Sequence, residues 1–313
     1  VSGILVALGT MTVIAVIGWI LGTAKVLGAN AQLVLAKLVF TVATPSLLLT
    51  TIAETDLGLL FTTSALTTVV STLAVAVIGG VVFRLVLHRG TGESTVGALS
   101  SSYLNAGNLG LPLAVYVLGT AVPVVPVLLV QLLVLAPVAF AILDTRPAGS
   151  ASRRQLILRP LTNPVTIAAA IGIVLAVLPW SPPDFVLEPF RLVGAAAAPL
   201  ALITLGLSLV GSKKGSGAAE RPVAGRAPMP DLVVVTTLRA VVHPLLAFGL
   251  AAAFSLDHEA ALGVVLMAAL PTAQNVLVYA LQYGQGQAIA RDAQLVTTVL
   301  SLPVMIAVVA LLH

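Results

Sequence analysis

Ten apolar runs separated by short polar breaks partition the chain: 3–22, 31–53, 62–87, 95–119, 121–143, 162–180, 185–211, 232–255, 259–281 and 290–312. A hydrocarbon layer about 30 Å thick takes roughly 20 helical residues to cross, and the runs cluster around that length. Inside lipid every backbone N–H and C=O must pair within the protein, which runs this long achieve as helices rather than as barrel strands. Composition agrees: 59% of the residues are hydrophobic and 8% charged, far too little charge for a surface that faces water. The chain reads as an all-α polytopic membrane protein of about ten transmembrane helices, expected in the cell membrane.

The basic residues sort by side. Lys25 and Lys37, Arg84 and Arg89, Arg146, Arg153, Arg154 and Arg159, Lys213, Lys214, Arg221, Arg226 and Arg239, and Arg291 lie on or beside the odd-numbered connections. Arg191 alone falls on the other side, where the acids Glu54, Asp56, Asp184, Glu188, Asp257 and Glu259 collect. Positive charge is retained in the cytoplasm, so the odd connections are expected there and both termini outside. The net charge of +4 is thus topology and not a nucleic-acid footprint. Without cysteine there is neither a disulfide framework nor a thiolate metal site. No HExxH, GxSxG or phosphate-loop pattern occurs, so an enzyme is not expected, and neither is a cofactor or a metal.

The two halves repeat. Ala43-Thr44-Pro45-Ser46-Leu47-Leu48-Leu49 aligns with Ala197-Ala198-Pro199-Leu200-Ala201-Leu202-Ile203, and Asn105-Ala106-Gly107-Asn108 with Thr272-Ala273-Gln274-Asn275. Tyr116 then falls on Tyr283 and Gly119 on Gly286. The expected organisation is a first five-helix repeat over 1–143, a cytoplasmic connection over 144–161, and a second repeat over 162–313 that carries a flexible cytoplasmic loop at 211–230. Five helices is an odd number, so the second block enters the membrane from the opposite face. That is an inverted repeat.

The fourth helix of each block is interrupted by Gly, Asn, Gln and Pro. Proline withdraws a helix hydrogen bond and Gly-Asn clusters tolerate unwound backbone. Such breaks survive at membrane depth only where they are buried in protein or line a cavity, and half-helix N-termini there offer N–H donors to an anion. Either break alone reads equally well as a packing kink with polar side chains bonding across helices. Two at matching positions favour a binding site, with Asn105, Gly107, Asn108 and Pro112 on one arm and Pro271, Thr272, Gln274 and Asn275 on the other. No acid lies near the middle of a run, which suits anions. His243, just before Pro244, is a candidate proton-coupling group, or else a partner for carbonyls freed by the kink. Arg239 is close enough to the cytoplasmic end to snorkel out, Gln131 reads as interhelical glue, and Gly18 and Gly22 have close-packing spacing.

At NAGNLGLPL (Asn105 to Leu113), with Gly119 behind it, and at ALPTAQN (Ala269 to Asn275) followed by LQYG (Leu281 to Gly284), the sequence resembles the auxin efflux carrier family. This family includes plant auxin carriers and bacterial carriers assigned to malonate or malate. Weaker supports are TPSLLL at Thr44 to Leu49 and RPLTNP at Arg159 to Pro164. The resemblance implies a bile-acid-symporter-like fold, in which helices one, two, six and seven form a scaffold against a domain with two crossing broken helices. It implies secondary transport of small organic anions, carboxylates such as malonate, malate or auxin-like acids, by alternating access, with the carboxylate near Asn105 and Pro271. Leu104 stands where plant members carry proline, and their long central loop is absent, so a small bacterial metabolite is the expected substrate. A proton- or sodium-coupled symporter of the same fold, or a non-transporting sensor or channel, are the alternatives. The expected partners are the organic anion, the bilayer and a second copy of the chain in a homodimer.

Overall fold

A computed structural model describes residues 2–28, 30–54, 58, 61–120, 122–144, 164–178, 182–210 and 225–312. The expected connection at 144–161 and most of the 211–230 loop lie outside the described residues, as do the side chains of Asn108 and Pro112. Among the described residues six helices are long and apolar enough to cross a membrane: α2 (Ala31–Ala53), α3 (Thr63–Val86), α6 (Val124–Leu143), α8 (Asp184–Ser208), α9 (Met229–Ala253) and α12 (Gln287–Leu312). Between them lie α1 (Ser2–Thr23), α4 (Thr91–Ser102), α5 (Leu111–Leu118), α7 (Pro164–Val177), α10 (His258–Ala268) and α11 (Asn275–Tyr283). Among the described residues the chain is all-helical, with one isolated antiparallel bridge between Leu104 and Thr272. The fourth run thus splits into α4 and α5, and the ninth into α10 and α11.

Several hydroxyls inside the helices donate to the carbonyl one turn back. Thr41 donates to the Lys37 carbonyl, Ser46 to Val42, Thr67 to Thr63 and Thr204 to Leu200. Four prolines follow a widened turn of helix, whereas Pro189 and Pro303 sit inside α-helix without one. π-helical turns at Val39–Ala43, Ala106–Gly110, Gln131–Leu135 and Leu238–Val242 each end two residues before a proline, namely Pro45, Pro112, Pro137 and Pro244. A proline lacks the N–H that the carbonyl one turn back would accept. The wider turn lets that carbonyl find a later donor.

Glycines bring backbones into contact. A Cβ on Gly206 would collide with the Ala15 carbonyl, and one on Gly18 with the Ile203 carbonyl. A Cβ on Gly22 would meet Val210 at 2.6 Å. The close packing expected of Gly18 and Gly22 is therefore found, against α8. A Cβ on Gly194 of α8 would meet the Leu47 backbone at 2.7 Å, and one on Gly172 of α7 would meet Ile52 at 2.9 Å, so α7 and α8 also lie tightly on α2.

The two ends of the molecule differ in charge chemistry. At one end Arg89 donates from Nε and Nη2 to Asp231, whose carboxylate is buried in the first turn of α9. The hydrogen bond to Asp231 raises the pKa of Arg89 above its ordinary value. Nearby Arg291 pairs with Asp292 at 2.6 Å and donates to the Gly225 carbonyl, while Asp292 accepts from the Ala227 N–H. At the other end Arg191 is held by Glu54 at 2.7 Å, Glu188 at 3.1 Å and Asp184 at 3.2 Å. The basic residue that breaks the charge pattern is neutralised by three acids.

Candidate functional site

The two breaks meet. Tyr103 leaves α4 in extended conformation (φ −82°, ψ 107°) after its N–H closes on the Leu99 carbonyl at 2.7 Å. The Asn105 N–H then donates to the Pro271 carbonyl at 2.9 Å, and the Ala273 N–H returns to the Tyr103 carbonyl at 3.0 Å. Pro271 has no N–H, but this pairing asks only for its carbonyl. The Asn105 carbonyl accepts from Leu109 at 3.2 Å and Gly110 at 3.0 Å, which starts the second arm. Thr272 donates from Oγ1 to the Ser100 carbonyl at 2.6 Å, and its N–H donates to Thr297 Oγ1 on α12 at 3.1 Å. Backbone groups freed by the two breaks thus find partners in each other, as groups remote from water must.

Arg239 braces this crossing from α9. Its guanidinium is buried and donates from Nε to the Leu270 carbonyl at 2.9 Å and from Nη1 to the Ser101 carbonyl at 3.0 Å. Nη1 also lies 2.9 Å from His243 Nδ1. A guanidinium only donates, so Nδ1 is the acceptor and the imidazole proton sits on Nε2. Both expectations for this helix change. Arg239 does not snorkel to the cytoplasmic interface, because the carbonyls at the ends of two interrupted helices draw it inward. His243 partners Arg239 and not carbonyls freed by Pro244, because the π turn has already accommodated that proline.

The structure gathers most of the residues expected from sequence. Asn105, Pro271 and Thr272 form the crossing itself, and Gln274 is buried beside it with Oε1 lacking a protein partner. Asn275 is half-buried at the start of α11. Gly107 is exposed, and no atom lies within 4 Å of where its Cβ would sit, so open space adjoins the start of the second arm. His243 joins through Arg239. Gln131 is buried, but its Nε2 has no protein partner, so the interhelical bond expected of it is not made by that donor.

Aromatic rings close one flank. The Tyr103 and Tyr279 hydroxyls are 3.4 Å apart, and Tyr279 packs edge-on against Phe140 and Phe40 at centroid distances of 4.8 and 6.1 Å. Tyr283 stacks on Phe140 at 5.8 Å. A separate cavity of about 490 Å³, lined by Thr68, Leu118, Pro126, Asp257 and His258 among others, lies between the C-terminal end of α5 and the N-terminal end of α10 and contains none of the crossing residues.

Two comparisons bear on this arrangement. Residues 4–309 match the family described as "Membrane transport protein". A protein of Rhizobium meliloti (strain 1021) named "Putative malonate transporter" is 30% identical over 227 residues, covering 69% of this chain and 67% of that protein. The match over nearly the whole chain agrees with the residues around both breaks, and the chain belongs to the membrane transport protein family in which the auxin efflux carriers fall, as a multi-pass transporter and not an enzyme.

Proposed function

We propose that the protein is a secondary transporter of small organic anions, malonate-like dicarboxylates first among them, working by alternating access. Ten helices form an inverted repeat of five plus five in the cell membrane, with both termini outside. The ends of the second arms support the repeat: Gly119 directly after α5 and Gly284 directly after α11 both take left-handed backbone, with φ of 69° and 65°, and Gly286, the sequence counterpart of Gly119, does so two residues later with φ of 56°. The observation that carries the reading is the crossing. Two matched polar breaks pair through their main chains, with open space at Gly107 in the first turn of the second arm, the buried Gln274 amide beside the crossing and the half-buried Asn275 at the start of α11. Half-helix N-termini in such a place favour a carboxylate.

Proteoliposome uptake tests this, with malonate, malate, succinate and indole-3-acetate offered under imposed pH, sodium and potential gradients. The reading expects saturable uptake of at least one dicarboxylate that others on the panel compete for. Absence of uptake for every carboxylate by correctly inserted protein would contradict it. A second reading, proton coupling through His243, is favoured by one feature: Nε2 is buried without a protein partner, one residue removed from the crossing.

A further inference from the structure

We infer that Arg239 is the fixed cation of the crossing: it occupies the carbonyl cluster that an inorganic coupling cation would otherwise fill, and it sets the preference of the site for anions. The inference rests on the anion-carrier reading above. Interrupted membrane helices present two kinds of end to a central site. N-terminal ends attract anionic groups, whereas C-terminal ends and unwound carbonyls hold cations such as Na⁺. Here the two arms that terminate at the crossing, α4 and α10, direct the carbonyls of Ser101 and Leu270 onto one guanidinium, at 3.0 and 2.9 Å. The cation position is already taken.

Charge arithmetic gives the second half. Each helix C-terminus carries about half a unit of negative charge, so two roughly match the single positive charge of Arg239. Its other hydrogen-bond partner is His243, accepting through Nδ1, and no salt bridge joins it to an acid among the described residues. An unpaired guanidinium this deeply buried (1% exposed) is costly unless such dipoles offset it. With the C-terminal ends matched, the N-terminal ends of the two second arms, at Ala106 and at Asn275, are left over, about one positive unit together. A bound carboxylate completes the balance. Arg239 Nη2, also without a protein partner, leaves the guanidinium two N–H donors in reserve. Anion binding should therefore need no sodium, and a neutral isostere should bind poorly only while residue 239 is charged.

The test is binding to purified, nanodisc-reconstituted protein, with malonate and its neutral isostere malonamide as probes. Wild-type affinity for malonate should agree within about two-fold between NaCl and N-methyl-D-glucamine chloride, and malonate should bind at least about ten-fold more tightly than malonamide. Arg239→Lys keeps the charge but cannot fork to both carbonyls, so it should weaken malonate binding and keep the preference. Arg239→Gln should lose malonate affinity by about ten-fold or more while malonamide changes little, which erases the preference. Malonate binding that demands sodium, or Arg239→Gln protein that keeps the wild-type ratio, overturns the inference and leaves the anion-carrier reading standing. Wild-type protein that binds none of the carboxylates overturns both. The sodium comparison uses wild-type protein alone, so it decides the matter even where Arg239→Gln does not fold.

Discussion

The Asn105 N–H donates to the Pro271 carbonyl at 2.9 Å, so the two interrupted helices are joined main chain to main chain at the point where each is weakest. Thr272, the next residue, adds the side-chain fastening, with its hydroxyl on the Ser100 carbonyl at 2.6 Å. Both groups are buried. Thr272→Val keeps the shape and removes the donor, leaving a buried carbonyl unpaired, which costs about 1–3 kcal/mol. Denaturation of the detergent-solubilised protein should show that loss. An unchanged midpoint would mean that the crossing does not rely on this bond.

Contact between α1 and α8 is backbone on backbone at Gly18 and Gly206. Gly206→Val therefore has no room to relax into, and it should destabilise by about 1–3 kcal/mol or more, the usual range for overpacking. Gly249 on α9 has nothing within 4 Å of a Cβ, so Gly249→Ala should be neutral or stabilising by up to about 1 kcal/mol. Thermal unfolding of the two variants in parallel checks the contrast. Equal behaviour would show that the glycine seam is not where the helices touch.

His243 accepts from Arg239 through Nδ1, and Gln can offer a carbonyl oxygen in its place without titrating near neutral pH. If transport is driven by the substrate gradient or the membrane potential, His243→Gln should keep the pH profile of malonate uptake. Flattening of that profile, with substrate binding intact, would instead favour proton coupling through the free Nε2.

Much of this architecture was legible because lipid is a demanding solvent. Run length marks helices apolar enough to cross a membrane, six of them among the described residues, and the acids expected to collect around Arg191, namely Glu54, Glu188 and Asp184, do pair with it. The breaks at Asn105 and Pro271 were visible for the same reason, since polar residues at membrane depth need partners. Which partners they find was not visible. Arg239 sits near enough to a helix end to snorkel, and only the approach of Ser101 and Leu270 from two other helices explains why its guanidinium turns inward. Proline positions were readable as kinks, but the π turns ahead of Pro45, Pro137 and Pro244 depend on where each displaced carbonyl finds its next donor. Gly18 and Gly22 announced close packing by their spacing, whereas the glycine they needed opposite, Gly206, is a tertiary fact.

The most direct measurement is the affinity of malonate for Asn105→Ala and Gln274→Ala protein, compared with wild type and with the adjacent apolar control Val276→Ala. Hydrogen bonds to a charged ligand are each worth about 1.5–3 kcal/mol, so either amide variant should bind about ten-fold or more weakly while remaining folded and inserted. The control should stay within about three-fold of wild type, because Val276 is packed in the core and offers the anion no donor. Unchanged affinity at Asn105 and Gln274 would contradict the account and place the substrate elsewhere, and equal losses at all three positions would point to disruption of the crossing in place of lost contacts.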